Sequence, residues 1–99
     1  MISLELHGEP VTPQDLRRNV TIEIRRLGLF SECFECTRPE NFVTELRNRI
    51  ELTIKTKEHE RGIQPDTFIY YASNVRTTPL IDSFGHIKSY FVTYELLCY

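Results

Sequence analysis

The chain has 99 residues, a formal charge of −2 and a pI near 5.9, with 40% hydrophobic and 26% charged residues. That is enough for one small core, no apolar run approaches the ~20 residues of a bilayer span, and the balance lacks the basic footprint of a nucleic-acid binder. Three cysteines without framework spacing fit a reducing compartment better than a disulfide scaffold.

The N-terminal stretch Met1–Glu5 has no basic region followed by an apolar one, so no secretory signal is expected, and the expected address is the cytoplasm of a cell or of a host. Residues 1–16 carry Glu5, Glu9 and Asp15 and no base, whereas residues 17–61 hold ten of the twelve bases against eight acids. Nine of the twelve bases are arginine, which favours planar, bidentate partners. Because acids interleave with them, the expectation is a salt-bridged solvent face.

Two segments 30 residues apart share a pattern: Asp15–Arg25 and Glu45–Lys55 each run acid, Leu, Arg, polar residues, then alternating apolar positions. Thr12, Pro13 and Asp15 suit a helix start, as do Thr37 or Arg38 before Pro39-Glu40. Val20, Ile22 and Ile24, and then Ile50, Leu52 and Ile54, have the period of a strand and are rich in β-branched residues. Each copy is read as a short helix running into a strand, because a continuous helix would leave Ile22 and Leu52 opposite the apolar stripe.

Between them, Leu29–Cys36 reads as a strand containing the thiol pair of Cys33-Phe34-Glu35-Cys36. On a strand the odd separation sends Cys33 and Cys36 to opposite faces, with Cys36 inside beside Phe30 and Phe34. A turn there would instead join the sulfurs for thiol redox or half a zinc site. His7, His59, His86 and Cys98 stand at no ligand spacing, so neither a metal nor a cofactor is expected, and no catalytic set is legible.

Thr67–Ala72 reads as a central strand, Asn74–Asp82 with Pro79 as an irregular connection, and His86–Tyr99 as a long final strand. Tyr90, Val92, Tyr94, Leu96 and Cys98 would share one face of it. The expected fold is a single α+β domain, a mostly antiparallel sheet with one or two short helices packed on one face.

Cys33-x-x-Cys36, followed by Val75-Arg76-Thr77-Thr78-Pro79, an apolar strand and Gly85, resembles the thioredoxin-like pattern over about residues 28–92. The resemblance implies a Cys-x-x-Cys at a helix start faced by a cis-proline loop, and it supplies an alternative fold and a thiol-redox function for Cys33 and Cys36. The chain departs from that pattern in lacking a tryptophan before Cys33 and a C-terminal helix.

Of the five tyrosines and six phenylalanines, eight gather in 68–71 and 84–99, beyond what one small core hides. Phe91, Tyr99, Leu97 and Tyr71 are the expected interface residues, since aromatic side chains are enriched where proteins meet. The leading expectation is therefore a small non-catalytic protein-binding protein, an accessory or inhibitory factor or an assembly subunit, for which a phage or viral origin fits. Its partner would be another protein or a second copy of the chain, with no membrane. An arginine-rich nucleic-acid binder is the third reading.

Overall fold

The computed structural model describes residues 2–12, 24–64 and 67–99. The first of the two echoing segments falls largely on 13–23, so its expected helix and strand lie outside the described residues. Strands β1 (Ser3–Leu6), β2 (Arg25–Phe34), β3 (Ile69–Ile81) and β4 (Ile87–Cys98) form one sheet in the order β1-β3-β4-β2. β1 pairs with β3 in parallel, and the other two pairings are antiparallel. The fold is the expected α+β, and among the described residues the α-helix is long where a short one was expected.

That helix, α1, spans Phe42–Arg61 and overturns the strand expected at Ile50–Ile54. A 3-10 turn at Pro39–Asn41 leads into it, with Pro39 supplying a helix-ready φ. Leu46, Ile50, Ile54 and Glu58 recur every fourth residue and are all buried. This four-residue stripe packs on the sheet, and its burial outweighs the β preference of Val43, Ile50, Thr53 and Ile54. Leu52 is left 66% exposed, as a helix requires. The Thr56 hydroxyl donates to the Leu52 carbonyl at 3.0 Å, which accommodates a β-branched residue in mid-helix. The helix stops at Gly62, whose φ of 66° lets the Gly62 and Ile63 amides fold back onto the carbonyls of His59 and Glu58.

The core lies between α1 and one face of the sheet. Leu4, Phe34, Tyr70, Ala72, Val92, Tyr94, Leu96 and Cys98 meet Leu46, Ile50 and Ile54 there. Two carboxylates enter this layer already paired. The Tyr70 hydroxyl donates to Glu58 at 2.9 Å, and the Tyr94 and Thr53 hydroxyls both donate to Glu32 at 2.8 Å. On the opposite face a smaller cluster joins Val11, Tyr71, Leu97 and Tyr99, with the Val11 amide donating to the Ser73 hydroxyl at 2.8 Å.

β3 does not end near Asn74. A one-residue bulge, with Asn74 at φ 54°, carries it past Ser73, and it continues to Ile81 beside β4. The expected irregular connection is thus the outer half of a long hairpin. Pro79 is admitted because this half is an edge strand, the one sheet position where a missing donor goes unnoticed.

Candidate interaction surface

The lengths of the elements create the surface. β3 spans ~43 Å at 3.3 Å per residue, α1 spans ~30 Å at 1.5 Å per residue, and the molecule is 52 Å long. β1 pairs only with Ile69–Ala72, and β2 ends at Phe34 opposite Tyr90. Beyond Tyr90 and its register partner Pro79, β3 and β4 run on as a two-stranded arm, residues 80–89.

The end of the arm is a closed turn. One carboxylate oxygen of Asp82 accepts the amides of Phe84 (2.9 Å) and His86 (3.0 Å). The Asp82 amide donates to the His86 carbonyl, the Gly85 amide donates back to the Asp82 carbonyl, and Gly85 takes a φ of 82° that a side chain would strain. This frame presents Phe84 at the apex, 83% exposed, with Ile81 at 62% and Ile87 at 53% beside it. Leu80, also exposed, lies on the other face of the ribbon. Ile81 and Ile87 are register partners on the helix side, where α1 no longer covers the sheet.

The outer edge of the arm is open but blunted. Ile69 and Tyr99 exchange both backbone hydrogen bonds, so odd-numbered residues of β4 direct their peptide groups toward β3. After the bulge, Arg76, Thr78 and Leu80 face β4, and Thr77, Pro79 and Ile81 face outward. Proline in the middle of that row removes its central donor, a recognised defence against strand addition. The exposed apolar surface of the arm is therefore on its faces and tip, not along its edge.

Of the four residues expected at an interface, Phe91 is 40% exposed at the root of the arm, in register between Cys33 and Thr78. Leu97 and Tyr71 are buried in the smaller cluster, where they serve packing. Tyr99 is half-buried and stacks on Tyr71 at 5.7 Å, with the two hydroxyls 3.1 Å apart. Leu29, exposed on the same face as Phe91, was missed, as were Leu80, Ile81, Phe84 and Ile87. Leu80 and Ile81 were hidden by reading Asn74–Asp82 as an irregular connection, and Phe84 and Ile87 by not pairing that segment with the final strand. The available signal was the apolar pair Leu80-Ile81, separated from Ile87 by an Asp-x-x-Gly turn.

The thiols do not come together, although β2 ends at Phe34 and so stops short of the expected strand end at Cys36. Cys33 is exposed in β2, facing away from the helix, while Cys36, two residues past the end of β2, packs against the helix-side core and donates its thiol to the Arg38 carbonyl at 3.0 Å. Neither sits at the start of α1. Pro79 lies within β3, and the described residues contain no cis peptide bond. The thioredoxin-like arrangement is therefore not the one adopted. Among the described residues no three of His, Cys, Asp and Glu gather closely enough to hold a metal ion, and no helix is long and apolar enough to cross a membrane.

Burial, above all, raises the pKa of the Tyr70, Tyr71 and Tyr94 phenols, reinforced by their bonds to Glu58, Tyr99 and Glu32 respectively. Burial likewise pushes the Cys98 thiol up, against the pull of Arg25 and Arg61. These groups are held neutral within the packing, away from the arm. No known protein family, curated relative or solved structure matches the chain, and its arm and buried tyrosines are read from their own geometry.

Proposed function

We propose that this protein works by contact, as an accessory or inhibitory factor or an assembly subunit, and that the β3–β4 arm is its docking element. One observation carries the reading: Ile81, Phe84 and Ile87, three large apolar side chains, are exposed together at the tip of a hairpin whose turn is held by Asp82, with Leu80 exposed on the other face. Scattered single apolar residues such as Leu52 and Val43 on α1 need no partner, whereas a contiguous patch on a projecting element does. Preorganisation strengthens the case, because a turn already ordered loses little entropy on docking. The thiols fit a reducing, cytoplasmic setting in which they remain free.

The test is site-directed photo-crosslinking in cells that make the protein. A photoactivatable residue at position 84 should give discrete protein adducts, and the same residue at position 52, also exposed on α1, should give at most diffuse labelling. Equal labelling at the two positions overturns the reading.

A further inference from the structure

At the end of the sheet opposite the arm, helix and strands meet around one small hollow. The start of β2 brings Arg25 and Leu27 to it, and the C-terminal end of α1 brings Lys57 and Arg61. Tyr70 of β3 and Cys98 of β4, both buried, close its base. Half-buried Leu27, Ile63 and Phe68 make its walls. The hollow measures ≈ 20 Å³, room for about one or two oxygen-sized groups.

The three cations at the hollow differ in their commitments. Lys57 is engaged twice, with its ammonium 5.8 Å from the Phe30 ring centroid and 3.5 Å from the Glu60 carboxylate. Arg25 lies over the Phe68 ring at 5.4 Å, which holds its guanidinium against an apolar wall. Arg61 ends α1, where the helix dipole favours a cation. Among the described residues, neither Arg25 nor Arg61 meets a carboxylate within ion-pair distance.

The field of the two arginines reaches the base. Burial acts most strongly on the Cys98 thiol and raises it, and Arg25 and Arg61 each oppose that rise more than Glu58 adds to it. Glu58 is itself held by the Tyr70 hydroxyl at 2.9 Å. Two guanidiniums gathered on one hollow repel each other, and an anion entering between them turns that repulsion into attraction.

We infer that this hollow takes a carboxylate carried on an apolar body, with its oxygens between Arg25 and Arg61 and the body against Leu27, Ile63 and Phe68. Size selects the group, since the space suits the two oxygens of a carboxylate better than a whole tetrahedral phosphate. Shape agrees, because a planar carboxylate matches the fork of a guanidinium with two parallel hydrogen bonds. A free organic acid and a peptide C-terminus with an apolar last residue both present this chemistry. The site lies at the opposite end of the β3–β4 ladder from Phe84 and does not rest on the docking reading.

The test is an NMR titration of the full chain at fixed ionic strength, with sodium phenylacetate as the probe and phenylacetamide as its neutral isostere. Phenylacetate should shift the amides of Leu27, Ile63 and Phe68 saturably, with a dissociation constant of about 1–10 mM, ordinary for so small a ligand. Phenylacetamide should bind at least ~10-fold more weakly, and Arg25→Gln and Arg61→Gln should each weaken phenylacetate by a similar factor. Both arginines are exposed, so the variants should melt like the parent. An N-acetylated tripeptide ending in phenylalanine separates the two sources. Tighter binding than phenylacetate assigns the hollow to a peptide terminus, and equal or weaker binding assigns it to a free acid.

No saturable shift up to ~50 mM phenylacetate overturns the site. So does equal binding of phenylacetamide, or binding that both arginine variants leave unchanged. Inorganic phosphate that binds as tightly as phenylacetate also overturns it, by making the cluster a general anion trap. Position 84 takes no part in this titration, so the site and the docking reading fail separately.

Discussion

Tyr70 and Tyr94 each turn a hydroxyl beneath α1 toward a carboxylate that the fold has buried or half-buried, Glu58 and Glu32. A buried charge without donors would cost several kcal/mol. Paired, Glu58 and Glu32 instead fix which tyrosine faces which turn of the helix. The arrangement has a consequence at high pH. Tyr70, Tyr71 and Tyr94 have pKa values raised by burial, so the folded chain keeps three phenolic protons that the unfolded chain loses near pH 10. Their stabilising effect is complete below that pH. Above it, each tyrosine lowers the unfolding free energy by ~1.4 kcal/mol per pH unit until its folded pKa is reached. Urea unfolding at pH 9, 10 and 11 should show a decline that steepens above pH 10, shallower by one proton in Tyr94→Phe. A stability that stays flat to pH 11 would contradict the burial of these hydroxyls. The sequence displayed the tyrosines as a surplus but not their destinations. Tyr71 and Leu97 alternate with core positions on their strands, and only the packing of Val11 onto the second face turns them into core residues.

At the scale of elements, the final strand was legible because Tyr90 to Cys98 alternate without interruption, and the helix was not. Residues 43–54 satisfy both periods, since Leu46, Ile50 and Ile54 fit a helical stripe while Ile50, Leu52 and Ile54 fit a strand. Local preference cannot arbitrate when the β-branched residues belong to both patterns; the sheet did, by offering a face as long as the stripe. The arm was obscured for a related reason. Pro79 reads as a breaker, and it breaks only an outward hydrogen bond. That role can be tested. Pro79→Val restores the central donor of the Thr77–Ile81 edge and adds a residue favoured in strands. The variant should aggregate, scored by light scattering, at roughly 10-fold lower concentration than the parent, with its monomeric fold intact. Unchanged solubility would mean that something other than proline guards the edge.

The molecule as a whole pairs a packed body with a projecting limb, and the two should differ in stability. Core amides such as those of Tyr71 and Leu97 sit where both strand neighbours and packed side chains hold them, and they open only on global unfolding. The Leu80 and Ser89 amides lie in a two-stranded ribbon with exposed side chains and can open while the body stays folded. Native-state hydrogen exchange in dilute solution should therefore show Leu80 and Ser89 at least ~100-fold less protected than Tyr71 and Leu97, a local opening cheaper by ~2.7 kcal/mol or more. Covering the arm raises the cost of that opening without touching the body. Equal protection of arm and core would show that the hairpin holds its shape as firmly as the body does, and the division of the molecule into body and limb would fall with it.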